Sequence, residues 1–463
     1  MPMTAIVLAA GEGTRMKSRH PKVMHKLLDR PLVSWVTRAA RMAGAERIVV
    51  VVGHGSAEVR AHLSAEKDVE FVEQTERLGT GHAVRTALEG AHITEGPVVV
   101  LYGDAPLIEP ETLRALVAPV EAGEVAGTLL TWAPANPFGY GRVLIGEDGF
   151  AERIIEQKDC TPEQAAQLTE CNPGFYAFDA AQLAAHIGEL TTDNAQHEYY
   201  LTDMVHIMRA VGCPLKAIHE DDEEQFLGTN SRTQLAQLSC IARDRINARL
   251  MDEGVSMLDP SLVWVGPDVQ VGRDTELLPM TMLWGATSVG EGCVVGPNTR
   301  LTGCTVGSNT TLEETVGDHV TIDDNVTCGP RAYLRGGAHV CDNAHIGTHV
   351  ELKNTVVGVG SKVPHLSYMG DCTMGAHVNI GGGSITCNYD GVHKNPTTIG
   401  DGAFIGSDTM MVAPVNIGAG AITGASSCIT KDVPADALAV ERSEERIVKG
   451  YASKRLERLR KDA

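Results

Sequence analysis

Three groups of polar residues have the types and spacing that chemistry on phosphates and amines requires. The first follows the apolar run Ile6-Val7-Leu8 and reads Leu8-Ala9-Ala10-Gly11-Glu12-Gly13-Thr14-Arg15-Met16, then Pro21-Lys22. Its glycines let backbone N–H groups approach phosphate oxygens, and Arg15 and Lys22 would neutralise their charge. It is not a dinucleotide fingerprint, because Met16 stands at the third glycine, and it lacks the Gly-Lys-Ser/Thr ending of a P-loop. By residue type alone it serves equally as an ordinary turn. The second group is Gln74, Gly79-Thr80-Gly81 and Tyr102-Gly103-Asp104, each following a strand-like run. The Gln74 amide has the donor and acceptor to match the edge of uracil, and the Gly79-Thr80-Gly81 backbone is slim enough to approach a base, with Thr80 as a helix cap. Asp104 is a candidate Mg²⁺ ligand, since Mg²⁺ takes only one or two protein oxygens beside phosphate and water; an Asp before Ala-Pro is also a common turn former. The third group is Arg335 and Lys353, eighteen residues apart, and His365 with Tyr368. Two like charges stacked at strand spacing repel unless an anion shares them, which suits a phosphate. His365 is placed to take a proton from an amine, or to be an ordinary surface histidine.

Two architectures must hold these groups. Ile6–Leu8, Ile48–Val52 and Val98–Leu101 are short continuous apolar runs separated by helical stretches such as Leu32–Met42 and His82–Leu88, which predicts βαβ units around a sheet buried on both faces. Ligands then sit beyond the carboxyl ends of the strands, where the first two groups fall. In the second half the period changes to six. Val265, Val271, Leu277, Leu283, Val289, Val295 and Leu301 keep it, as do Val316, Ile322, Cys328, Leu334, Val340, Ile346 and Leu352, and again Ile399, Ile405, Met411, Ile417, Thr423 and Ile429. Hexad repeats predict a parallel β-helix, and glycines one place after many of these residues suit its corners. The beat slips near Val357 and breaks after Ile380, so 381–398 is expected to be an insertion. Between the halves, Leu235, Leu238, Ile241, Ile246 and Leu250 form a helical stripe ending at Gly254. The expected organisation is an α/β domain over 1–230, a linker helix over 231–254, a β-helix over 255–440 and a tail over 441–463.

The net charge of −20 in 463 residues argues against nucleic acid or acidic membranes as partners, and only the tail from Lys449 to Lys461 is basic. Eleven cysteines, odd in number and without a Cys-x-x-Cys pair, predict reduced thiols rather than a disulfide framework or a zinc site. With no basic segment before Ile6–Ala10 and no apolar run of spanning length, a cytoplasmic protein is expected.

The glycine loop with Pro21-Lys22 resembles the signature of nucleoside-triphosphate sugar-1-phosphate nucleotidyltransferases, and the hexads resemble the left-handed β-helix of hexapeptide acyltransferases. His365-Leu366-Ser367-Tyr368, Asn379, Asn388-Tyr389-Asp390-Gly391 and Lys394, with Ser407 and Ala425 one coil apart, resemble the site of glucosamine-1-phosphate acetyltransferases. From Ala5 to about Arg442 the chain is similar to the bifunctional N-acetylglucosamine-1-phosphate uridyltransferase and glucosamine-1-phosphate N-acetyltransferase family. The resemblance implies a Rossmann-like nucleotidyltransferase domain that binds UTP and UDP-N-acetylglucosamine through Leu8, Ala9, Ala10, Gly11, Gly13, Arg15, Lys22, Gln74, Gly79, Thr80, Tyr102, Gly103, Asp104, Gly141, Glu156, Asn172 and Asn230. Asp104 and Asn230 would hold Mg²⁺. It further implies Arg335, Lys353, Tyr368, Asn379 and Lys394 on glucosamine phosphate, and His365 as base. Acetyl-CoA would lie along Asn388, Tyr389, Ser407, Ala425 and Arg442, with Asn388 polarising the thioester, in a homotrimer. The sequence departs from the pattern at Pro173, at Gly336 and around Glu441-Arg442-Ser443. A related arrangement, in which only the first half is an enzyme and the β-helix trimerises or regulates it, would lack the set His365, Asn388 and Lys394.

Overall fold

The structure, a computed structural model, describes residues 2–11, 13–53 and 56–461. The chain divides into two units, Met1–Asp244 and Arg245–Ala463.

In the first unit seven strands form one sheet in the spatial order Leu215–His219, Gly127–Thr131, Tyr176–Asp179, Pro97–Tyr102, Met3–Ala9, Ala45–Val52, Val69–Glu73. All neighbours are parallel except Tyr176–Asp179, which runs against both of its neighbours. Alternation along the buried strands splits the core: Ala5, Val7 and Ala9 belong to one cluster with Val33, Val36 and Leu113, while Ile6 belongs to the other with Val84, Leu88 and Met204. Met3–Ala9 has Pro97–Tyr102 on one side and Ala45–Val52 on the other, so chain order reverses across it. That switch point opens a crevice at the carboxyl ends, and the glycine loop and Asp104 both leave the sheet there. A second sheet pairs Gly141–Ile145 with Ala151–Ile155 and Cys171–Asn172.

The helix Arg232–Asp252 buries Leu238 and Ala242 beside Leu27, Leu32 and Leu107. It ends at Gly254 (φ +98°), with the Val255 N–H donating to Leu250 O and the Gly254 N–H to Met251 O, a Schellman ending.

The second unit is a three-faced parallel β-helix whose sheets contain 11, 10 and 9 strands. One inward stack runs Val265, Leu283, Leu301, Gly317, Leu334, Leu352, Met369. It corrects one expectation. The inward residue after Leu301 is Gly317, not Val316, because that coil is shorter. The expected slip at Val357 is present, since Val357 follows the inward Leu352 by five residues rather than six, but Val357, Val363, Met369, Met374 and Ile380 are all buried, so the coils continue at slightly reduced length. The insertion is also narrower than 381–398. Thr386 is buried opposite Met411 on the strand Ile385–Cys387, and only the segment from Asn388 to Pro396 leaves the coil.

Two further features hold the coils together. Glycines after the inward residues are required by close approach, since a Cβ on Gly400 would lie 2.5 Å from Ala419 N and one on Gly406 2.5 Å from Thr423 O. The left-handed turn positions go instead to residues such as Asn298, Asn309, Asn325 and Asn343. Buried threonines staple neighbouring coils, a role the hexad pattern did not reveal. Thr310 Oγ1 donates to Asp323 O (3.0 Å) and accepts from Val326 N (3.1 Å), and Thr355 Oγ1 donates to Met369 O (2.9 Å) and accepts from Cys372 N (3.3 Å).

Candidate active sites

At the switch-point crevice, Leu8, Ala9, Ala10, Gly11, Lys22, Gln74, Gly79, Thr80, Tyr102 and Asp104 line one cleft. Gly13 needs its left-handed φ of +62°, and a Cβ there would strike Lys22 Cβ at 2.6 Å, so the loop packs directly against the lysine. Arg15 stands exposed on the short turn Thr14–Met16. Gly103 donates its N–H to Leu8 O (3.0 Å), which ties the two strand ends together beneath the cleft. Arg77, which no motif flagged, lines it too, as does Glu198 from the stretch Asn194 to Asp203, which also resembles the family.

Gln74 is buried and its Nε2 donates to Gly79 O (3.2 Å) and contacts His82 Nδ1 (3.0 Å). The amide donors are therefore spent inside the protein, and only the carbonyl is offered outward. Thr80 is not the helix cap. Gly79 (φ +108°) holds that place, and Thr80 Oγ1 accepts from Leu201 N (3.2 Å). Gly79 and Gly81 are fixed by protein packing, since a Cβ at either would meet Tyr199 O or Leu190. The polar stretch from Asn194 to Asp203 buttresses this turn.

Lys22 Nζ donates to Asp104 Oδ2 and, at 3.1 Å, to Asn230 Oδ1. One ammonium thus marks the point on which both expected metal ligands converge, although Asn230 is 208 residues from Lys22. Two oxygens aimed at a single cation are a donor set that fits Mg²⁺ completed by phosphate and water. Gly141, Glu156 and Asn172 also come together. Asn172 pairs with Gly141, a Cβ on Gly141 would lie 3.5 Å from Glu156 Oε2, and Asn172 Nδ2 donates to Tyr176 Oη (2.7 Å). Burial raises the Glu156 carboxyl above its ordinary range, against the Thr202 hydroxyl that donates to it, with Asp159 and Asp203 adding to the rise. Burial likewise pushes the Tyr102 phenol far up, with Glu156 and Asp104 adding to it.

On the β-helix, Arg335 pairs with Lys353 in register as the spacing predicts, and Tyr368 lies on the next coil. The charges are balanced differently from the expectation of a shared external anion. Arg335 donates to Glu351 Oε1 (2.8 Å), and Lys353 to Asp371 Oδ2 (3.4 Å). Asp371, missed in the sequence, sits at φ +52° and also accepts from Asn354 Nδ2 (2.8 Å) and from Asn388 Nδ2 (2.5 Å). Burial opposes its charged form, but the hydrogen bonds from Asn354 and Asn388 and the charge of Lys353 outweigh it and hold the carboxyl below its usual range. Asn388 also reaches Tyr368 Oη (3.4 Å), so a thioester oxygen would have to displace one of its present acceptors. Lys394 Nζ lies 4.0 Å above the Tyr389 ring.

His365 stands exposed at the end of the strand Lys362–His365. A Cβ on Gly382 would lie 3.3 Å from its Cβ, and the pairings Ile380 with Ile405 and Ile405 with Thr423 carry the same column up to Ser407 and Ala425. Arg442 Nη1 donates to Ala425 O (3.3 Å) at its far end. Three coil steps make a track of roughly 14 Å. Asn379 is not part of it: it pairs with Lys362 at the other end of the strand, and makes no hydrogen bond to His365, Arg335 or Lys353 among the described residues.

Residues 5–167 match the MobA-like NTP transferase domain, and residues 396–431 match the hexapeptide repeat of succinyl-transferase. A protein of Trichlorobacter lovleyi named bifunctional protein GlmU is 44% identical over 97% of this chain and 98% of its own. A protein of the same name from Heliobacterium modesticaldum is 46% identical over 98% of each, and one from Streptomyces avermitilis 45% over 98% of this chain and 95% of its own. Identity of this order, sustained through the α/β unit and the left-handed β-helix alike, means that the chain belongs to the GlmU family of bifunctional proteins.

Proposed function

We infer that the chain catalyses two successive transfers: acetyl from acetyl-CoA to the amine of glucosamine 1-phosphate, then uridyl from UTP to N-acetylglucosamine 1-phosphate. The observation that carries this reading is the presence in one chain of two separate constellations, the Lys22–Asp104–Asn230 centre and the His365-to-Arg442 track.

In the first transfer the amine nitrogen attacks the thioester carbonyl and the CoA thiolate leaves. His365 accepts the amine proton and can pass it to the departing thiolate. Arg335, Lys353, Tyr368 and Lys394 hold the sugar phosphate, with Glu351 and Asp371 keeping the cations in place until it arrives. The track past Ser407 and Ala425 suits a long thin acyl carrier, and Arg442 suits its charged end. The exposed column Phe404, Ile422 and Leu438, together with the distance of Asn379 from His365 along the strand, favours completion of this site by a neighbouring copy in a homotrimer.

In the second transfer the sugar-phosphate oxygen attacks the α-phosphorus of UTP and pyrophosphate leaves. Mg²⁺, when bound by Asp104 and Asn230, would supply charge neutralisation at the phosphates. Lys22 must then leave that point, and the phosphates beside the glycine loop are its nearest new partners. The Gln74 carbonyl accepts from uracil N3–H, while Gly141, Glu156 and Asn172 present hydrogen-bonding groups to sugar hydroxyls. Free CoA released from acetyl-CoA and glucosamine 1-phosphate, followed by pyrophosphate from added UTP, tests the reading in one tube. Absence of CoA release with intact pyrophosphate release would leave the β-helix as a structural or regulatory module.

A further inference from the structure

On a face of the β-helix other than those that carry Arg335 and His365, three donors of three chemical kinds converge. Asp323, His339 and Cys341 each offer one ligand atom, and these atoms all lie within 4.8 Å of one another. The convergence follows from the ladder. Thr321 pairs with His339 and Ile322 with Val340, which sets Asp323 opposite Cys341, and strand alternation turns His339 and Cys341 to the same outer face. Asp323 Oδ2 lies 2.8 Å from His339 Nε2, and that nitrogen lies 4.0 Å from Cys341 Sγ. We propose that Asp323, His339 and Cys341 form a site for Zn²⁺ or a similar borderline transition-metal ion, with a fourth position left to water or an added ligand.

The donor set selects the metal. A thiolate and an imidazole beside one carboxylate match tetrahedral Zn²⁺, whereas Mg²⁺ and Ca²⁺ prefer oxygen alone. The separations need only small side-chain rotations to meet at bonding distance from one ion, with the Asp323–His339 contact opening slightly. The backbone is already fixed by bonds between coils: Asp323 N–H donates to Val340 O (2.8 Å), His339 N–H to Thr355 O (2.8 Å) and Cys341 N–H to Val357 O (2.9 Å). All three side chains are half-buried, which limits competition from water while leaving access. Asp342 lies next to Cys341 and accepts from Asp324 N (2.9 Å), so further negative charge surrounds the position. An ion here would clip two successive coils together.

Titration of the full-length, tag-free, reduced protein with Co²⁺ tests the site, because an oxygen-only site such as that at Asp104 cannot give sulfur-to-cobalt charge transfer. One equivalent per chain should produce that near-ultraviolet band with intensified tetrahedral visible bands, and Zn²⁺ should bleach both. Cys341→Ser should abolish the band, and His339→Gln or Asp323→Asn should weaken binding by at least about tenfold. Zn²⁺ should raise the Tm of the wild type and not of Cys341→Ser, with circular dichroism and gel filtration confirming that each variant is folded. No band in the wild type, or one that survives Cys341→Ser, would reduce the cluster to a hydrogen-bonded His–Asp pair beside a thiol.

Discussion

Under the proposed function the two halves serve the same kind of ligand, a sugar 1-phosphate, by opposite constructions. In the α/β unit the polar groups leave the ends of buried strands on loops, and backbone geometry does much of the holding, as at Gly13 and Gly103. On the β-helix the groups stand on the strands themselves, and their spacing is the repeat of the coil. The first construction concentrates charge at one point, where Lys22 meets Asp104 and Asn230. The second spreads it along a ladder and balances each cation with a carboxylate, Arg335 with Glu351 and Lys353 with Asp371. A point site depends sharply on one cation, whereas a ladder tolerates change at any single rung. Losses should therefore be steep at the reacting groups and shallow among the supports.

The largest expected effect is from His365→Ala, which should lower acetyl transfer by about a hundredfold to ten-thousandfold, measured as CoA release, and leave pyrophosphate release unchanged. Asp104→Ala should do the reverse, costing about a thousandfold in uridyl transfer if several kcal/mol of metal stabilisation are lost. Mixing the two folded variants should restore the complete conversion, because the acetylated intermediate can diffuse between proteins. If either change silences both reactions, the halves are one coupled site and the comparison fails.

A smaller effect sharpens the contrast at the point site. Since the Lys22 ammonium stands where a metal would, Lys22→Met should tighten Mn²⁺ binding without nucleotide by about tenfold, a gain of about 1.4 kcal/mol, read by electron paramagnetic resonance. Unchanged affinity would mean that the lysine does not compete for the position.

The smallest effect lies in the ladder. The Asp371 carboxyl titrates below its unfolded value of 3.8, so its stabilisation is complete above that pH and is lost as pH falls through the lower, folded value. Asp371→Asn should cost about 1 kcal/mol at pH 7. Asn tolerates the left-handed backbone, so strain should not confuse the result. The difference in Tm from wild type should close below pH 4; a gap that persists there would assign the loss to packing instead.

Much of both candidate sites was legible in the sequence because it is written locally. The glycine loop, Asp104 at a strand end, the hexads and the one-coil interval between Arg335 and Lys353 are patterns of a few residues or of a fixed period, and turn chemistry and strand alternation impose such patterns wherever they occur. Local order could not say that Gly317 rather than Val316 points inward, since coils of unequal length shift the beat without changing its appearance. Nor could it show Asp371 beneath Lys353 and Asn388, Thr310 stapling its neighbouring coil, the Gln74 donors spent on Gly79 and His82, or Asp323 brought against His339 and Cys341. Those meetings depend on which coil lies over which and on how side chains share the space between them, and only the folded chain decides that.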